Sequence, residues 1–388
     1  MAPGPGESSI PSRGWYNVAN MRPGLLLVPV LGLCAGLASP GRASQGLDVR
    51  QELLGKADFL TTEGDIAAGV ALSATEAART EAQVQSRPDD TRSRATLLGY
   101  YYQPSLIMNE AAQAARAHHV LWFIENRPES RVLDFPQASL TREVNGATAY
   151  EEAKLAWLRQ IDANPEGTLV IANAARFFEE ENPTLTLSLL DKGRRLEPGD
   201  PSWPKRLGGV SLSMARNDPD AGRRYSRASS ALRELETALG MASTLDLKLE
   251  LDPELAEAAY LVGRDDKAAR YAGAAVTKAR VDRWNYSDLV HDGYTILGLV
   301  ALRARDTKKA AECLVKSGDV RGSPRLDSLG PRMELAKALI EAGERDAVLD
   351  YLEMAGKFWK PGARDLARWT ADIKGGMTPE FGNLRLIP

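Results

Sequence analysis

Apolar side chains recur at helical spacing along most of the chain, and alternation of strand type is scarce. From Leu47 onward the period is that of amphipathic helices. The two best strand-like runs, Leu185-Thr186-Leu187-Ser188-Leu189 and Leu245 to Leu251, sit inside segments that otherwise favour helix and are read as helical. Polar, Pro- and Gly-bearing breaks punctuate the pattern at Ser86–Asp90, Asn126–Ser130, Leu196–Pro204, Asn217–Asp220 and Gly318–Pro331. The pattern therefore predicts an all-α chain with helices over 44–90, a longer helical array over 91–374 and a short tail over 375–388. Within the first stretch Leu53, Leu54, Phe59, Leu60, Ile66 and Val70 are the expected core positions.

The first forty-three residues follow another rule. Leu25 to Leu37 is apolar but broken by Pro29, Gly32 and Gly36, and is too short for the ~20 residues that a membrane-crossing helix needs. Small residues follow at Gly36-Leu37-Ala38 and Gly41-Arg42-Ala43, the pattern of a secretory signal cleaved after Ala38 or Ala43. Residues 1–43 are expected to be signal peptide and leader, with Met21-Arg22 an ordinary start for such a signal. Export to a periplasmic or extracellular space follows, with anchoring by an uncleaved segment the alternative. Leu33, bulky and directly before Cys34, departs from a lipid-attachment signal.

Small residues inside the helical array repeat. Ala174 and Gly208 stand 34 residues apart, and Leu207-Gly208, Leu98-Gly99 and Leu297-Gly298 are the same pair in three places. Gly263 and Gly343 fall where a turn between paired helices belongs. Second helices follow as Ala268, Ala272 and Ala275, as Ala310, Leu314 and Ser317, and as Val348, Leu352 and Ala355. A small side chain is needed where two helix backbones approach closely, and Pro198 closes a helix because it lacks a backbone donor.

On these residues the stretch from Ser93 to Ala355 resembles a divergent tetratricopeptide-repeat protein of six units, a family of 34-residue helix pairs. The end of the chain, from Tyr294 to Leu384, is similar to uncharacterised bacterial helical-repeat proteins. Two departures stand out: no unit carries the family's first-helix Trp, and later spacings stretch to 42 residues (Ala256 to Gly298) and 38 (Gly298 to Ala336). The resemblance implies a solenoid of antiparallel helix pairs whose first helices line a groove for another polypeptide. It also implies the groove positions: Thr96, Tyr100, Phe178, Glu179, Lys205, Arg206, Glu257, Thr295, Arg303, Lys337 and Glu341.

Composition narrows the chemistry. The 388 residues weigh 42.1 kDa and carry a formal charge of −3, which removes the basic excess of a nucleic-acid binder. Two cysteines exclude a disulfide framework, and three histidines leave little for a histidine-built metal or acid–base site. His118-His119 lacks the partner spacing of a metalloprotease helix and is read as a stacked or buried pair. Asp288, His291 and Asp292 share one helical face and are the best enzyme alternative, with neighbouring carboxylates. The leading expectation is an exported, cofactor-free, non-enzymatic scaffold or assembly factor at the cell envelope that binds a protein or peptide. A cytoplasmic regulatory repeat protein is the third reading.

Overall fold

The computed structural model describes residues 58, 61–107 and 109–381. The expected signal, its cleavage sites and the core positions Leu53, Leu54, Phe59 and Leu60 lie outside the described residues. Among the described residues the chain is all-α and no strand occurs. It divides into two compact units, one up to Pro198 and one from Gly199.

The first unit contains α1 (residues 61–70), α2 (Ala74–Ser86), α3 (Thr91–Leu106), α4 (Glu110–Asn126), two short 3₁₀ turns (Arg131–Asp134 and Pro136–Ala138), α5 (Arg142–Ala163), α6 (Thr168–Phe178) and α7 (Pro183–Leu196). Sequence punctuation explains the boundaries. Ser73 and Glu76 form a reciprocal cap that starts α2; Asp90, Asn109 and Asn182 accept the first free amides of α3, α4 and α7. Consecutive helices pack on one another. Where α1 meets α3 the backbones touch: a Cβ on Gly69 would lie 1.8 Å from the Thr96 carbonyl oxygen, and one on Gly99 would lie 1.9 Å from that of Ile66. Ile66 is buried as expected, but Val70, the last residue of α1, is 52% exposed.

The second unit contains α8 (Ser202–Arg216), α9 (Ala221–Met241), α10 (Leu245–Leu261), α11 (Asp265–Lys278), α12 (Tyr286–Arg303), α13 (Thr307–Gly318), α14 (Pro324–Leu329), α15 (Glu334–Glu341), α16 (Arg345–Phe358) and α17 (Ala363–Lys374). One continuous apolar core runs from Leu212 to Phe381. The tail packs as far as the description reaches: Phe381 stands edge-on to Trp369, whose indole N–H donates to the Glu380 carbonyl. The small residues do what the repeat pattern demands. A Cβ on Gly208 would lie 2.5 Å from Leu235, and one on Gly298 would lie 2.3 Å from Leu335.

One turn recurs four times in this unit. At Gly263, Arg305, Gly343 and Gly376 the backbone is left-handed, and each residue donates its amide three residues back while the next donates five back. This C-cap satisfies the carbonyls that a helix end leaves open. The first three join α10 to α11, α12 to α13 and α15 to α16. They stand 42 and 38 residues apart, the spacings at which the sequence pattern stretches.

Candidate functional site

Two groups of polar residues are built by these elements, one in each unit. The larger lies inside the second unit. His291 on α12 has no solvent exposure; its Nδ1–H donates to the Ser317 carbonyl at 2.9 Å, and its Nε2 accepts the Arg332 amide at 3.0 Å. These partners fix the neutral tautomer, and burial pushes the imidazole pKa down to about 4. Asp288, about one turn before His291, and Asp292, directly after it, are both held by Arg325, at 2.8 and 2.9 Å.

The Arg332 guanidinium reaches Glu257 on α10 at 3.1 Å and Glu334 on α15 at 3.4 Å, all three side chains being buried. Glu257 also receives Arg216 of α8 at 2.6 Å. Burial works against the charge on Arg332, but Glu334, Glu257 and Asp292 outweigh it and raise its pKa. The Tyr351 hydroxyl donates to the Arg332 carbonyl, so α16 joins the same cluster. What this arrangement does is tie α8, α10, α12, α15 and α16 together. Every group on His291 that could move a proton is already engaged inside the protein.

The second group belongs to the first unit and opens to solvent. His118, Leu121, Trp122 and Glu125 lie at i, i+3, i+4 and i+7 on α4; Glu152, Leu155 and Arg159 lie at i, i+3 and i+7 on α5. Together they line a recess of about 390 Å³. Its floor is the Trp122 indole with Leu121 and Leu155, the last 54% exposed. Arg159 and Glu125 pair across the mouth at 3.2 Å, and both are exposed.

The indole is backed by a buried chain. Arg94 stacks on it at 4.2 Å and donates to His119 Nδ1 at 3.2 Å; His119 Nε2–H donates to Glu81, which also accepts the Tyr101 hydroxyl. Burial pushes His119 below its ordinary pKa, against the pull of Glu81. The histidine pair therefore splits: His119 is 1% exposed within this chain, whereas His118, edge-on to it, faces the recess.

None of the eleven groove positions lines this recess. Glu257 and Thr295 are at most 2% exposed, so they do not line an open groove, whereas Phe178, 1% exposed, backs a small cleft of about 90 Å³ with Arg142, Tyr150 and Asn182. Phe178 packs edge-on against Phe177, and the Thr295 hydroxyl donates to the His291 carbonyl. Thr96 and Tyr100 are half-buried where α1 closes on α3. Lys205 pairs with Glu250 at 2.5 Å, while Arg303 lies over Tyr260 at 3.8 Å and pairs with Asp265. Arg206 and Lys337 are half-buried, and Glu179 and Glu341 are exposed. The structure brings Glu257 and Thr295 into one cluster with Asp288, His291 and Asp292, which sequence reasoning had kept apart. Missed entirely were Arg325, inside the Gly- and Pro-bearing connection Gly318–Pro331, and Arg332, the residue directly after it.

The fold thus defines an all-α protein whose adjacent packed helices are compatible with a helical-repeat architecture. No protein-family model matches the chain, and no curated protein sequence matches it. Among the described residues no helix is long and apolar enough to cross a membrane, and no group of His, Cys, Asp or Glu side chains could hold a metal ion.

Proposed function

We propose that this is a non-enzymatic, tetratricopeptide-like helical-repeat protein that binds a segment of another polypeptide, with the α4–α5 recess as its anchor site. The single observation behind this reading is the recess itself: an indole and two leucines at the bottom, and carboxylates and a guanidinium at the rim. Peptide sites combine such an apolar floor with a few polar groups that fix orientation. Glu125 and Glu152 against Arg159 leave the rim acidic, which suits a bulky apolar anchor flanked by Lys or Arg. The recurrent left-handed turn supports the repeat reading, because three of the four turns each join one helix pair in the same way. Against the enzyme alternative stands the complete engagement of His291. Export and a scaffold role at the cell envelope of a bacterium remain part of the proposal, carried by the apolar run Leu25 to Leu37.

Selection from a random peptide display library on the immobilised protein tests this. Enriched peptides should share a large apolar residue beside a basic one. Their binding should fall at least tenfold in Leu155→Asp and in Trp122→Ala, with circular dichroism unchanged. Enrichment without such a motif, or binding indifferent to both substitutions, refutes the recess as the site.

A further inference from the structure

Arg116, in the middle of α4, is 2% exposed, and its guanidinium meets no carboxylate. One terminal nitrogen donates to the carbonyls of Gln137 (3.2 Å) and Ser139 (2.9 Å); the other donates to Asn145 Oδ1 (3.0 Å). These dipoles orient the group and pin the 137–145 segment to α4, but they carry no net charge. Acids on the surrounding elements are engaged elsewhere or face water. Helix α3 has none, Asp134 pairs with Arg131 and Arg176, and Glu143 is exposed. A full positive charge is therefore buried without a counterion, whereas buried charges are ordinarily paired. Burial draws the Arg116 pKa down to about 10.

A second observation is independent of the charge. Arg116 Nε, the Tyr102 hydroxyl and Asn145 Nδ2 are each buried with no hydrogen-bond partner. The Asn145 amide cannot be reversed without cost, since its Oδ1 accepts from both Arg116 and the Thr141 amide. Nε shares one edge of the guanidinium with the nitrogen that reaches Asn145, and the Tyr102 ring lies 5.6 Å from the guanidinium carbon. The cation thus has one unpartnered N–H of its own, and the two side chains that touch it, Tyr102 and Asn145, each carry another unpartnered donor. The side-chain oxygen of Gln137 also lacks a partner, and rotation of that amide presents its N–H₂ group instead.

We infer that a small monovalent anion of the halide class binds against Arg116, accepting hydrogen bonds from Arg116 Nε, the Tyr102 hydroxyl and the Asn145 amide. A water molecule can meet these groups, because the Tyr102 hydroxyl also accepts, but it carries no charge and leaves the guanidinium uncompensated. An anion answers both the donors and the charge. The site lies on the opposite side of the chain's logic from the peptide recess: it ties α3, α4 and the start of α5 together whether or not the recess binds anything.

Thermal unfolding of the full chain in sodium chloride, bromide and gluconate at one ionic strength tests this. The two halides should raise Tm along a saturating curve and gluconate should not. Tyr102→Phe, which keeps the ring, should raise the half-saturating halide concentration about tenfold, and Arg116→Met should abolish the halide dependence. Crystals grown in bromide should show an anomalous peak beside Arg116. Identical Tm in all three salts, an unaltered halide curve in Tyr102→Phe, or a bromide map with only water at Arg116 overturns the inference.

Discussion

His291 accepts the backbone amide of Arg332 at 3.0 Å, and that bond exists only while the imidazole is neutral. Protonation would place a second N–H against the Arg332 amide, inside a cluster that already holds Arg325 and Arg332. Burial, the largest cause, therefore pushes the folded pKa to about 4, and Asp292 and the Ser317 carbonyl offset it only in part. A group whose folded pKa lies below its unfolded value of about 6.5 binds protons first in the unfolded chain. Stability is thus complete above pH ~6.5, falls as pH drops toward 4 and levels below it. The shift corresponds to about 3 kcal/mol at most. Urea unfolding at pH 7 and pH 4.5 should show this loss, and His291→Asn should be less stable at pH 7 yet lose less between the two pH values. Equal losses would assign the pH dependence to other groups.

Glu257 is the carboxylate between two guanidiniums, Arg216 and Arg332. Truncating one member of a buried ionic cluster leaves the rest uncompensated, at a cost of about 3–5 kcal/mol. Glu257→Ala should therefore be among the most destabilising single changes in the second unit. Lys205→Ala breaks a pair that is about as short but lies at the surface, and should cost less than about 1 kcal/mol. Denaturant midpoints of the two variants measure the contrast; similar values would mean that the cluster is far better solvated than its geometry implies.

Glu257 also shows where the sequence was legible. Helix breaks were readable at Ser86–Asp90 and Asn217–Asp220 because Asp90 and Asp220 start the next helices by local hydrogen bonds, and a residue's neighbours are its near sequence. Gly99, Gly208 and Gly298 were readable for a related reason: only glycine tolerates a backbone or side chain at under 3 Å from where its Cβ would stand. Site residues were harder. Glu257 fits an exposed helix face as well as a buried one, and its fate is decided by Arg332, 75 residues away. Four of the recess residues share one face of α4 and three share one face of α5, but which faces stay open depends on how the two helices lie against each other.

Arg305 is the one non-glycine residue with positive φ among the described residues, at φ 63°, and it stands where Gly263 and Gly343 stand in the sister turns. A side chain in the left-handed region brings Cβ close to the following carbonyl oxygen and costs roughly 1–2 kcal/mol. Glycine escapes that clash but is freer in the unfolded chain, which returns part of the gain. Arg305 is exposed, and among the described residues its side chain meets no hydrogen-bond or ion-pair partner, so its replacement removes strain and little else. Arg305→Gly should therefore stabilise the protein by about 1 kcal/mol. Gly343→Ala, the reverse change at φ 93° with open space around it, should destabilise by a similar amount. Denaturant unfolding of both variants decides the matter: opposite signs are required if the turns are one recurring device, and a destabilising Arg305→Gly would show that the α12–α13 turn is held by its side chain rather than by its backbone.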